Sequence, residues 1–125
     1  MPISYSIDRE NRCIHETWTG LITAKDLGDH QRRVLTDPVV MVIRRTIVDL
    51  RGCRILFSGE QLAELMESVA LPLLNGKSWR SAIVVGDPAQ KEITQQYHVL
   101  AESYSRDSVF DTPEAAMAWM QTQSP

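Results

Sequence analysis

The sequence has no apolar run longer than six residues, the five at 39–43 and the six at 115–120 being the longest, whereas a membrane-spanning helix needs about 20. No basic stretch leads into an apolar segment near its N-terminus, so no signal peptide is expected. Cysteine is scarce. Cys13 and Cys53 stand alone, with neither a Cys-x-x-Cys pair nor a zinc-type spacing. That usage fits free, buried thiols in a reducing cytoplasm, with a single bridge as the alternative. Neither Gly-x-Gly-x-x-Gly nor Gly-x-x-x-x-Gly-Lys-Ser/Thr occurs, so nucleotide binding of those types has no support. The Gly-x-Ser-x-Gly elbow of serine hydrolases is missing too. Charge of one sign is also lacking: the formal net charge is −3. A nucleic-acid binder shows a basic face and a high pI, so none is expected. The arginines at 32, 33, 44, 45, 51 and 54 read as solvated surface.

What is present is a globular mixture, with 43% hydrophobic and 23% charged residues in 125. That length fits one domain over 1–125 whose core needs no disulfide or metal staple. Ile3, Tyr5 and Ile7 alternate with polar residues, which predicts a strand with one buried face. After a turn at Glu10-Asn11, residues 12–19 form a second strand, with Ile14 and Trp18 on one face and Cys13, His15 and Thr17 on the other. Gly20 is expected to end it. Thr23 and Asp26 open a helix with the stripe Leu27, Gln31, Val34 and Leu35, which Asp37-Pro38 stops. Residues 39–43 fit either a short strand or an apolar connector.

Residues 45–50 read as a central strand broken by Gly52. Ser58-Gly59-Glu60-Gln61 is a capping box, and Leu62, Leu65, Met66, Val69 and Leu73 form the buried stripe of its helix, which Pro72 should end or kink. Residues 79–85 are a strand covered on both faces. Asp87-Pro88 starts a helix with the stripe Ile93, Tyr97, Leu100 and Tyr104. A short strand at 108–110 precedes a last helix capped at Thr112-Pro113, with Ala116, Trp119 and Met120 inward and a loose tail at 122–125. The order is β-β-α-β-α-β-α-β-α. It implies an α/β fold with a mostly parallel five-stranded sheet and an antiparallel edge strand.

No catalytic constellation, cofactor motif or metal set emerges. Asp26 and His30 share a helix face and read as a surface ion pair. Ligands of open parallel sheets bind beyond the carboxyl ends of the strands. There Arg51, Arg54, Ser58 and Gly59 make an anion site, with the helix amides at Ser58 and arginine charge. Capping alone also accounts for Ser58. Cys53 in the same crevice opens a rival reading, a small enzyme or thiol sensor with a depressed thiol pKa. Leu71, Leu73, Leu74 and Trp79 form an apolar cluster that reads as a lid, a lipid-accepting patch, a dimer surface or plain core closure.

The pattern resembles the SpoIIAA-like (STAS) superfamily, and within it a bacterial group of small stand-alone proteins, over about residues 3–120. The resemblance is carried by Thr19-Gly20-Leu21-Ile22-Thr23 with Asp26-Leu27, by Ile47-Val48-Asp49-Leu50-Arg51-Gly52, by Arg80-Ser81-Ala82-Ile83-Val84-Val85, and by Val109-Phe110-Asp111 with Glu114-Ala115-Ala116-Met117-Ala118-Trp119-Met120. It implies a β-α superhelix with strands in sequential order, and a protein that binds partners or small ligands rather than an enzyme. Anti-sigma antagonists of the superfamily carry Asp-Ser-Ser/Thr-Gly where this chain has Leu56-Phe57-Ser58-Gly59. Ser58 therefore matches the phospho-acceptor, but the Asp is missing and Phe57 replaces a hydroxyl, which counts against a phospho-switch. The expectation is a cytoplasmic, non-enzymatic module without a cofactor. It binds a protein partner, a second copy, or a small anionic or lipidic ligand beside Ser58.

Overall fold

A computed structural model describes residues 2–123. Five strands, β1 (Ile3–Asp8), β2 (Cys13–Ile22), β3 (Arg45–Ile55), β4 (Trp79–Val84) and β5 (Ser105–Phe110), form one sheet in sequential order. β1 runs antiparallel to β2, and every other neighbouring pair is parallel. The helices are α1 (Ala24–Leu35), α2 (Pro38–Ile43), α3 (Gly59–Leu65), α4 (Leu71–Leu74), α5 (Pro88–Ala101) and α6 (Pro113–Gln121). A π-helical turn, Met66–Ala70, joins α3 to α4. The expected α/β architecture, with its antiparallel edge, is the observed one.

The two faces of the sheet are covered unequally. Ile14 and Trp18 of β2 and Leu50 of β3 join the main core, with Leu27 and Val34 of α1 and Leu62 of α3. On the other face a smaller cluster, Cys13, Ile47, Ala82 and Val84, meets Ala116 and Met120 of α6. Alternation along the strands sends successive side chains to the two faces.

One irregularity in β3 organises its far end. Thr17 of β2 pairs with Asp49, but Thr19 pairs with Gly52, so two steps along β2 match three along β3. The extra residue is a bulge, and it reverses which residues face the core. Before it Thr46 and Leu50 are buried beneath the helices; after it Cys53 takes that side. The side chain of Gln90 in α5 holds the bulged region. Its Nε2 donates to the carbonyls of Leu50 (2.7 Å) and Cys53 (2.9 Å), and its Oε1 accepts the Gly86 N–H at 2.7 Å.

Several expectations are corrected. Gly20 does not end β2: its φ of +72° suits glycine, and pairing continues to Ile22↔Ile55. Gly52 does not break β3 either, and a Cβ there would lie 3.2 Å from the Trp18 carbonyl oxygen. Residues 39–43 are neither strand nor connector but the body of α2. Asp37 accepts from the Val39 and Val40 amides, Pro38 occupies the first turn, and Arg44 ends the helix in the left-handed region. Of the two outcomes expected at Pro72, an end or a kink, the helix does not end there but changes register just before it. The Leu71 N–H bonds the Met66 carbonyl in the wider π register, and proline, which has no N–H to place, follows directly. Tyr104 lies beyond α5, and Ala101 rather than Leu100 is its buried last residue. β5 starts three residues before position 108. Of the expected tail, Thr122 bonds back to α6, and residues 124–125 lie outside the described residues.

Replacing Gln90 with leucine tests the clamp. The swap adds apolar volume but strands two carbonyls and one amide, each worth about 1–3 kcal/mol when left unmet. Gln90→Leu is expected to lose at least about 3 kcal/mol in a denaturant titration. An unchanged midpoint would show that water replaces the amide.

Candidate functional site

The main core is not completely filled. A cavity of about 150 Å³ lies between the sheet and the helices packed on it. Strand residues Trp18, Leu50 and Ile83 floor it, and Leu62, Met66 and Ala70 of the α3–α4 helix roof it. Amphipathic patterning alone would make this wall apolar throughout, yet polar groups interrupt it. Glu16, His30, Gln31, Thr46, Ser81, Thr94, Tyr97 and Tyr104 also reach it.

Those groups form two sets. In the first, His30 Nε2 lies 2.9 Å from Glu16 Oε1, although without hydrogen-bond alignment. The Trp18 indole donates to the same oxygen at 3.1 Å, and Arg33 reaches His30 Nδ1 at 3.2 Å. Burial alone would raise the Glu16 carboxyl. The close His30 imidazole, with the Trp18 hydrogen bond and Arg33, outweighs it and holds the group below its ordinary value. Gln31 lies beside this set. Its Nε2 makes a long 3.7 Å contact to Met66 Sδ, and its buried Oε1 has no partner. In the second set, Trp79 Nε1 donates to Thr46 at 3.2 Å and Tyr104 OH approaches Met66 Sδ at 3.8 Å. Burial drives the Tyr97 hydroxyl well up and that of Tyr104 to about 12, so both stay neutral.

The residues expected to form a site at Ser58 are only partly brought together. Cys53, Arg54, Ser58 and Gly59 border an open cleft with Asp87, Gln90, Glu92 and Gln96. Arg51 is drawn away, its guanidinium forking onto Asp49 at 2.9 and 3.0 Å. Ser58 is engaged in its capping box: Oγ accepts the Gln61 N–H at 3.1 Å and its own N–H donates to Gln61 Oε1 at 2.9 Å. Gln96 sits so close that a Cβ on Gly59 would collide with it. Asp87 and Glu92 place two carboxylates on the lining of the same cleft as Arg54.

The thiol-sensor reading loses its chemistry. The bulge turns Cys53 into the core, and burial, with Asp87 and Asp49 nearby, pushes its pKa up to about 11 rather than down. Of the apolar cluster, Leu74 and Trp79 are core residues, Leu73 is half-buried and only Leu71 is exposed. The four therefore do not form a surface patch. Asp26 does not pair with His30. It caps α1 by accepting from Thr23, while His30 points inward to Glu16.

Sequence reasoning did not assign Glu16, His30, Gln31, Tyr97 or Gln90. The one signal was Gln31, a polar residue inside an apolar stripe. On the opposite face, Asp8, Cys13 and His15 converge at the hairpin and are the one metal-capable cluster of three among the described residues.

The chain has the SpoIIAA-like fold. It is similar to the crystal structure of an uncharacterized DUF3478-family protein with that fold from Shewanella loihica PV-4, with a TM-score of 0.62, 18% identity and coverage of 94% of this chain and 91% of that one. Part of the structure of Mglu also aligns, over 86% of this chain and 19% of that one, at 19% identity; its TM-score of 0.35 gives it no weight. No family model and no curated protein matches the sequence. Among the described residues, no helix is long and apolar enough to cross a membrane.

Two predictions follow from this geometry. Glu16→Gln is expected to cost about 1.5–3 kcal/mol at pH 7, the worth of a charged hydrogen bond. Because the folded-state pKa is lowered, that contribution is present above the ordinary glutamate value of about 4.3 and is lost as pH falls through the folded value. The gap between wild type and variant, measured by denaturant unfolding, should close towards pH 3; a constant gap would contradict the assignment. Separately, Cys53 should resist maleimide at pH 8 in the folded protein and react on unfolding, as mass spectrometry of a Cys13→Ser background would report.

Proposed function

We propose that the protein is a non-enzymatic, SpoIIAA-like binding module whose ligand is a small, mainly apolar molecule carrying one O–H or N–H donor. The observation that carries this reading is the unpartnered Gln31 Oε1 on the wall of a 150 Å³ cavity. Leaving a buried polar group unmet costs about 1–3 kcal/mol, and a donor on a ligand removes that cost. A cavity of about this volume accepts a molecule of benzene's size.

The groups around Gln31 set the ligand's sign. Glu16 and Gln31 both offer acceptor oxygens, and a carboxylate brought beside them would meet like charge without a free cation in the lining. A neutral donor such as a phenol or a short alcohol fits where an anion does not. This keeps the small lipidic ligand expected from the sequence, moves it from Ser58 to the core, and drops its anionic form. The lack of a nucleophile with an activating base at either the cavity or the cleft supports a binding role over catalysis.

Titration calorimetry with phenol, toluene and hexanoate tests this. Phenol should bind most tightly and hexanoate not at all. Gln31→Leu should bring phenol down about five- to tenfold, to the level of toluene, because a net hydrogen bond is worth about 1 kcal/mol. Ala70→Phe should fill the cavity and abolish binding, with circular dichroism confirming the fold. Equal affinity for phenol in the wild type and Gln31→Leu would refute the role of Gln31. No binding of either neutral probe would refute the cavity itself.

A further inference from the structure

We infer that Asp8, Cys13 and His15 form a three-ligand site for a divalent transition-metal ion of the zinc type at the tip of the β1–β2 hairpin. The site lies on the sheet face opposite the cavity and does not depend on the ligand-binding reading.

The hairpin register assembles it. Asp8 pairs directly with Cys13 across the antiparallel ladder, and Ser6 pairs with His15. Directly opposed residues project to the same side, as do residues two apart on one strand. One carboxylate, one thiol and one imidazole therefore meet without any loop to position them. His15 Nε2 lies 3.0 Å from Asp8 Oδ2 and 3.6 Å from Cys13 Sγ. All three ligand atoms lie within 4.8 Å of one another.

The geometry separates a metal site from the two other uses of these residue types. In a cysteine-histidine-acid catalytic triad the base faces the nucleophile with one ring nitrogen and the acid with the other. Here sulfur and carboxylate share the same nitrogen, and Cys13 is fully buried, with no room for a substrate at its sulfur. A simple Asp8–His15 ion pair uses two of the three groups and leaves the thiol, 3.6 Å from the same nitrogen, without a role. Tetrahedral zinc, with Zn–S of about 2.3 Å and Zn–N and Zn–O of about 2.0–2.1 Å, sets sulfur and nitrogen about 3.5–3.6 Å apart and nitrogen and oxygen about 3.3 Å apart. The observed separations lie within a few tenths of an ångström of these.

Supporting groups hold the carboxylate. Asn11 donates to Asp8 through its backbone N–H (3.0 Å) and its side-chain Nδ2 (2.8 Å), and Gln121 of α6 donates to Asn11 Oδ1 at 3.1 Å. Hydrogen bonds of this kind orient metal ligands. The His15 and Asp8 side chains are 37% and 22% exposed, so an ion enters from solvent and a water completes a fourth position. Sulfur and imidazole ligands favour zinc over magnesium or calcium.

The probes are Zn2+ and Co2+ added to reduced, chelator-free protein. Competition with a chromophoric chelator should give one zinc per chain, and Co2+ should develop thiolate charge-transfer and tetrahedral d–d absorption. Cys13→Ser should abolish the charge-transfer band. His15→Gln, at a half-exposed position that leaves folding intact, should weaken zinc binding at least tenfold, and a His98→Gln control should leave it unchanged. The inference is overturned if Co2+ produces no thiolate band in the wild type. It is equally overturned if His15→Gln binds zinc as the wild type does.

Discussion

The Gln90 amide secures the point on which the rest of the fold turns. β3 is the central strand of the sheet, so both its faces must be covered, and its extra residue between Asp49 and Gly52 changes which side chains go where. Where β3 leaves β4 at Asp49↔Val84, the sheet no longer satisfies every carbonyl of the bulged strand. Gln90 reaches from α5 to meet two of them, and its third bond fixes Gly86 after β4. A buried side chain thus does the work of a missing ladder rung, in a place where water would otherwise be needed. Cys53 faces the core as a result, and the cleft beside Ser58 holds one arginine instead of two.

The cavity follows from a related tension. The α3–α4 helix must roof the sheet although it contains Pro72, and it does so by widening one turn into the π register. That turn brings Met66 and Ala70 over the cavity. Met66 is a soft acceptor, and both Gln31 and Tyr104 settle for long contacts to its sulfur. The remaining polar groups are neutralised in pairs, with Glu16 held ionised by His30, Trp18 and Arg33. Two buried polar atoms on that wall lack a hydrogen bond: His30 Nε2, which keeps its ion pair with Glu16, and Gln31 Oε1.

Much of the architecture was legible because it rests on local rules. Alternation marked β1 and β2, and capping residues at Thr23, Ser58, Asp87 and Thr112 marked four helix starts, all of which hold. The errors share one cause. Gly20, Gly52 and Pro72 are breakers by local preference, and each is accommodated by a partner distant in sequence or by a change of helical register. Residues 39–43 are β-branched and apolar but form a helix because Asp37 and Pro38 start one. The site was less legible than the fold. Gln31 carried a faint signal as a polar interruption, whereas His30 read as a surface partner of Asp26 and Glu16 had no assigned role.

By itself the sequence determined the order of elements, the helix starts, the parallel sheet with its antiparallel edge and the lack of the common catalytic motifs, since each depends on residues within a few positions of one another. Only the tertiary structure decided which polar groups share a space. Glu16 meets His30 across a strand and a helix, Gln90 meets Cys53 across the bulge, and Arg51 turns to Asp49 instead of Ser58. Asp8 meets Cys13 and His15 through a register that spacing does not reveal. These pairings depend on burial and on which face a side chain takes. One inserted residue in a strand reverses that face without leaving a mark in composition or periodicity.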